Sequence, residues 1–357
     1  DGWQNIAERL ISDNGNFIAF TVVPQEGDGH LYIKKKDGTN VAEIARGYNA
    51  NMTDNSRFLI CRIKPYFKDT RDVKIKKKRP EEMPKDSLAI VDLNSGKITK
   101  VAQVKSFKIA DEQARFLAYH LEKKAVAPTP RAGQTDSTAK SAAPVAPPTP
   151  RVAAEPFEEG TDLVVQNLLS GDTVVHHLVS EYFFNKKGNI LLFETTKKTG
   201  DTKVKPQVVK VDLINNKQAV VLTGFNDAKA YRMDEAGTQL AFIAERDSSA
   251  KSLQKFYKLF YHKNGADSAV LLVQKNTNGM PVNFTLSENA QAISFSKSGN
   301  RLFFGTAPIL PVKDTLTPDF ERVSVDVWHY KDDYLQPLQL RNLQQELNRA
   351  FLARFDF

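Results

Sequence analysis

The sequence predicts an all-β chain, a β-propeller of four-stranded antiparallel blades. Three observations predict it: a turn-and-strand motif that recurs six times, a hairpin motif that alternates with it, and a composition rich in aromatic residues. The 22 Phe and 10 Tyr favour sheet over helix, because flat rings pack well on pleated surfaces.

The first motif is a polar turn followed by a strongly apolar strand. It reads Asp13-Asn14-Gly15-Asn16 before Phe17-Ile18-Ala19-Phe20, and Asp54-Asn55-Ser56-Arg57 before Phe58-Leu59-Ile60-Cys61. It recurs with the strands beginning at Phe116, Ile190, Gln239 and Arg301. Ile18, Leu59, Leu117, Leu191, Leu240 and Leu302 occupy one position of it, and two residues later the chain is aromatic except at Cys61. Four of the six turns contain Gly, which supplies the positive φ that a tight turn needs. The strands are apolar at consecutive rather than alternate positions, so burial on both faces is expected, as in sheets stacked face to face.

The second motif is a strand running into a hairpin turn, as in Ile90-Val91-Asp92-Leu93-Asn94-Ser95-Gly96 and Val209-Lys210-Val211-Asp212-Leu213-Ile214-Asn215. It reads as the two outer strands of a blade. The turn anchors at 15, 56, 114, 188, 237 and 299 are separated by steps of 41, 58, 74, 49 and 62 residues. A blade needs about 40 to 50 residues, so the longer steps require insertions.

Two insertions are visible. Residues 124–160, rich in Ala, Pro, Thr and Ser, read as a disordered surface insertion within one blade, because such a composition buries too little apolar surface to order itself. Residues 64–86, with Lys74-Ile75-Lys76-Lys77-Lys78-Arg79 and five acidic residues, read as a mixed-charge solvated loop. Near the end, Leu340, Leu343, Leu347 and Phe351 recur at helical spacing, and 351–357 reads as the opening strand of another blade. The expectation is therefore an incomplete propeller over 1–357, with six recognisable blades and seven or eight in the full protein.

Catalytic chemistry is hard to find. There is no G-x-S-x-G, no P-loop, no H-E-x-x-H and no C-x-x-C. The six histidines read as structural or exposed, and adjacent His176 and His177 on a strand point to opposite faces. Gly27-Asp28-Gly29 fits a tight turn and lacks the spacing of a calcium loop. Cys61 reads as a small buried strand residue. The net charge of +8 reads as basic residues scattered over solvated loops, since no nucleic-acid recognition signature accompanies it. No apolar run is long enough to span a membrane.

Several segments resemble the propeller region of bacterial prolyl oligopeptidase-like serine peptidases. They are Trp3 with Ile11-Ser12-Asp13-Asn14-Gly15, then Pro24-Gln25-Glu26-Gly27-Asp28-Gly29, Phe67-Lys68-Asp69-Thr70-Arg71 and Met83-Pro84-Lys85-Asp86-Ser87. Pro311-Val312-Lys313-Asp314-Thr315, Val325-Asp326-Val327-Trp328-His329-Tyr330 and Tyr334-Leu335-Gln336-Pro337 complete the set. The resemblance implies an N-terminal, non-catalytic propeller that gates access of peptide substrates to an α/β-hydrolase domain C-terminal to it. That domain holds the family's Ser-Asp-His triad, so no catalytic residue is carried over to this chain, and no cofactor, metal or substrate-binding residue is assigned. The same resemblance implies a periplasmic or extracellular protein whose export signal has been removed. No nucleic-acid partner is expected. The alternative is a stand-alone protein-binding or scaffold propeller of the cell envelope.

Overall fold

The computed structural model describes residues 2–112, 114–123, 157–249, 252–289, 292–312, 317–323, 325 and 327–357. The chain is mostly β, in antiparallel sheets that follow the sequence in order. The first unit is β1 (Gln4–Ile11), β2 (Phe17–Pro24), β3 (His30–Lys35) and β4 (Asn40–Ala45). The second is β5 (Gly47–Met52), β6 (Phe58–Ile63), β7 (Ser87–Asp92) and β8 (Ile98–Val101).

The next seven strands form one continuous sheet: β9 (Val104–Ile109), β10 (Phe116–Leu121), β11 (Thr161–Asn167), β12 (Thr173–Phe184), β13 (Ile190–Thr195), β14 (Gln207–Asp212) and β15 (Lys217–Thr223). Strand β12 makes it so, because its first half pairs with β11 and its second half with β13, with Val179 aligned to both Thr161 and Thr195. The sheet is thus two four-stranded units that share a long strand. The fifth unit is β16 (Asp227–Met233), β17 (Gln239–Glu245), β18 (Lys258–Lys263) and β19 (Val270–Val273). In the sixth, β20 (Phe284–Leu286) and β21 (Ser294–Phe295) share the place of the first strand along β22 (Arg301–Pro308), and β23 (Phe351–Asp356) pairs with β22 on its other edge.

Five apolar cores join the six units in series. Leu59 and Cys61 of β6 pack toward the first unit, whereas Phe58 and Ile60 pack toward the third. Likewise Leu240 and Phe242 of β17 face the fourth unit while Ala241 and Ile243 face the sixth. The consecutive apolar positions in these second strands follow from this two-sided burial.

All six polar turns join a first strand to a second strand. In five of them a short polar side chain accepts the N–H that opens the second strand: Ser12 from Phe17 (3.0 Å), Thr53 from Phe58 (3.0 Å), Asn185 from Ile190 (2.9 Å), Asp234 from Gln239 (2.8 Å) and Ser296 from Arg301 (3.1 Å). The turn is closed by a residue in the left-handed region, Gly15, Ser56, Gly188, Gly237 or Gly299. The third turn is one residue longer, with Ala110 directly after its first strand and Asp111 five residues before Phe116.

In such a meander the first-to-second and third-to-fourth turns share one end of every unit, and the second-to-third connections share the other. The long segments of the chain all belong to the latter class: 64–86, 122–160, 196–206, 246–257 and 309–350. Two expectations are revised here. Residues 64–86 are not simply a loop, because helix α1 (Phe67–Ile75) forms within them. Asp69 in its first turn and Lys74 in its last complement the helix dipole, and Asp28 accepts the Phe67 N–H at 2.9 Å. Strand β23 does not open another unit. It is the third strand of the sixth, paired from Arg301↔Asp356 to Thr306↔Phe351 after an excursion that contains helix α2 (Gln336–Leu347). The insertion expected over 124–160 lies, for 124–156, outside the described residues, but it joins neighbouring strands β10 and β11 of one unit.

Candidate functional site

The first strands are irregular by construction. Register shifts interrupt β1 between Ile6 and Arg9, β5 between Tyr48 and Asn51, β12 between Val179 and Glu181, and β16 between Lys229 and Arg232. A bulge frees backbone donors from the ladder and re-aims side chains. In β5 the freed N–H groups of Asn49 and Ala50 are taken by the Glu8 carboxylate of β1, at 2.8 and 3.1 Å.

At the connection end, charged and phenolic groups gather along the fourth, fifth and sixth units. Tyr231 of β16 donates to Glu194 at the end of β13 (2.7 Å), and Tyr257 donates to Asp227. Lys229 bonds Glu288 of the sixth unit at 2.7 Å and lies 4.2 Å from the centre of the Tyr257 ring. Burial, reinforced by the neighbouring Glu181 and Asp227 carboxylates, raises the Glu194 carboxyl to about 7 against the opposing hydrogen bonds of Tyr231 and Ser180. Burial and then the bonded carboxylates push the Tyr231 and Tyr257 phenols well above their ordinary range. The cluster therefore offers a carboxyl that holds its proton near neutrality, between phenols locked in the protonated form. It can donate and accept hydrogen bonds, but it holds no activated nucleophile.

Beside this cluster lies a cavity of about 1050 Å³ between the fifth and sixth units and the 309–350 connection. Lys229, Glu288, Leu310, Arg349 and Phe351 line it, and Thr285 Oγ1 beside them is buried without a hydrogen-bond partner among the described residues. A second cavity, about 510 Å³, opens at the turn end among Asp13, Asn51, Asp54, Lys108, Asp111 and Phe183. There Lys108 donates to the Tyr182 carbonyl at 2.7 Å and rests on the Phe183 ring, and burial lowers its pKa.

The six histidines are dispersed. His30 faces Glu43 (2.8 Å) and His177 faces Asp162 (2.7 Å), both exposed. His120 is buried against the Val179 carbonyl, His262 against that of Ala266, and His176 packs on the Phe193 ring. His329 is exposed. Among the described residues, none of the six bonds a serine, threonine, tyrosine or cysteine side chain. No group of three His, Cys, Asp or Glu side chains placed to hold a metal occurs among them either. Cys61 is fully buried in the core between the first two units, and burial raises its thiol to about 12. No helix of the described residues is long and apolar enough to cross a membrane.

Sequence reasoning did not find the Glu194 cluster, whose members come from four separate segments. One signal was present: Glu194 and Glu245 each follow at least four consecutive apolar residues of a second strand.

No protein-family model and no curated protein matches the chain. Solved structures do. The structure of a eukaryotic initiation factor matches at 11% identity and a TM-score of 0.43, over 84% of this chain and 60% of its own. The β-propeller domain of the Trilobed protease from Pyrococcus furiosus matches at 8% identity and a TM-score of 0.38, over 85% and 78%. An acylaminoacyl peptidase from Pyrococcus horikoshii matches at 7% and 0.38, over 85% and 43%. The chain thus spans three fifths of the first of these and under half of the last.

Proposed function

We propose that the six units are blades of a β-propeller, and that the propeller is the non-catalytic domain of a prolyl oligopeptidase-like serine peptidase. It gates access of peptides to an α/β-hydrolase domain that faces the connection end. One observation carries this reading. Of the segments that resemble the family, all but the first lie in second-to-third connections or at their borders: 24–29 from the last residue of β2 onward, 67–71 between β6 and β7, 83–87 up to the first residue of β7, and those from Pro311 to Pro337 between β22 and β23. Residues that carry a resemblance without serving the core are best explained by a surface that meets something else.

The purified 357-residue chain should neither cleave prolyl chromogenic peptides nor react with a fluorophosphonate probe. Cleavage sensitive to a serine inhibitor would refute the proposal. Reading the gene past Phe357 is the complementary test, with a G-x-S-x-G motif expected and an early stop counting against it.

A further inference from the structure

Helix α1 is an unusual element because it buries nothing: none of its residues is buried. Its N-terminal end is fixed to the body. Asp28 holds the Phe67 N–H, and Arg46 stacks on Tyr66 with its guanidinium carbon 3.7 Å from the ring centre. Its C-terminal end leads into Lys74, Ile75, Lys76, Lys77, Lys78 and Arg79, every one of them exposed.

Among the described residues, Lys78 alone of that run forms an ion pair, to Glu82 at 3.1 Å, and Glu82 also accepts the Arg79 backbone N–H. Lys74, Lys76 and Lys77 have no carboxylate in reach among the described residues. Of the acidic residues of the helix, Asp69 lies in its first turn, whereas Asp72 stands one turn before Lys76, whose N–H its backbone carbonyl accepts; neither forms an ion pair with the run among the described residues. The run is therefore net positive and free to meet a partner.

Two details sharpen the chemistry. The helix closes with the Lys78 N–H on the Val73 carbonyl (3.3 Å) and the Lys77 N–H on the Lys74 carbonyl (3.0 Å), with Lys77 in the left-handed region at φ 50°. That closing position favours glycine, yet here it carries a cation. In addition, Ile75 stands 63% exposed between lysines.

We propose that residues 74–79 dock on an anionic lipid surface, the cations meeting headgroups and Ile75 entering the layer beneath them. A lipid interface rewards clustered cations and an inserted apolar side chain together. Single-stranded nucleic acid is less well matched, because it also needs aromatic platforms. The rings nearest to the run in sequence, Tyr66 and Phe67, sit at the opposite end of the helix, and Arg46 already covers Tyr66.

The test is cosedimentation of the full chain with vesicles of phosphatidylglycerol and phosphatidylcholine in equal parts, against phosphatidylcholine alone. Binding is expected only to the anionic vesicles and is lost at high salt. The triple variant Lys76→Glu, Lys77→Glu, Lys78→Glu should bind about a hundredfold more weakly. Ile75→Ser should weaken binding severalfold. Lys77→Gly should also weaken it while leaving the melting temperature unchanged or higher, which separates lost charge from lost structure. The control Lys34→Glu, Lys35→Glu, Lys36→Glu, at the turn end of the first unit, should bind as the unaltered chain does. Failure to bind anionic vesicles would overturn the proposal. So would equal loss in the control, or tighter binding to a single-stranded oligonucleotide than to vesicles at the same salt.

Discussion

Glu194→Gln gives the most direct test of the energetics at the connection end. The Glu194 carboxyl is raised from an ordinary 4.5 to about 7, chiefly by burial and then by Glu181 and Asp227. A folded chain that holds this proton more tightly than the unfolded chain gains stability from it at low pH. That contribution is complete below about 4.5 and is lost as pH rises through about 7. At ~1.4 kcal/mol per pH unit, the full difference corresponds to ~3 kcal/mol. The partial solvent contact that the side chain retains reduces this to ~2 kcal/mol. The glutamine variant cannot ionise, so it should gain ~2 kcal/mol on the unaltered chain between about pH 5 and about pH 8. Urea unfolding of both proteins at each pH measures this directly. The paired comparison matters because burial lowers the pKa of His120, His176 and His262, and those groups favour the folded state as pH rises. A variant-minus-parent difference that is the same at both pH values would refute the reasoning.

Two further predictions concern the repeat itself. Leu59 is fully buried between the first and second units, so Leu59→Ala should cost ~3 kcal/mol in urea unfolding, whereas Leu352→Ala on exposed β23 should change stability by no more than ~0.5 kcal/mol. Gly15 and Gly237 share a positive φ, but a Cβ at Gly15 meets open space while one at Gly237 comes within 2.8 Å of Asn185 Nδ2 and 3.2 Å of Ile190 Cγ1. Gly15→Ala should therefore cost ~1 kcal/mol and Gly237→Ala about twice that, as thermal unfolding would show.

The turn motif was legible in the sequence because local chemistry dictates it. A short polar side chain and a left-handed residue close the turn within five residues, whatever surrounds them. What the sequence showed less clearly was the polar acceptor that opens each turn, since Ser12, Thr53, Asn185, Asp234 and Ser296 differ in type while doing the same thing. Helix α1 was missed for a related reason. With no buried face it has no apolar periodicity to read, and its start depends on Asp28 from a different unit.

The apolar strands, their two-sided burial and the order of the units follow from the sequence alone, because each depends on residues a few positions apart. Only the tertiary structure assigned β23 to the sixth unit, since Phe351, Ala353 and Phe355 alternate as any half-buried strand does and nothing local names β22 as the partner. The cluster of Glu194, Tyr231, Asp227, Tyr257, Lys229 and Glu288 was likewise decided by the fold. Its electrostatics depend on burial and on charges brought from distant segments, and neither exists until the units stack.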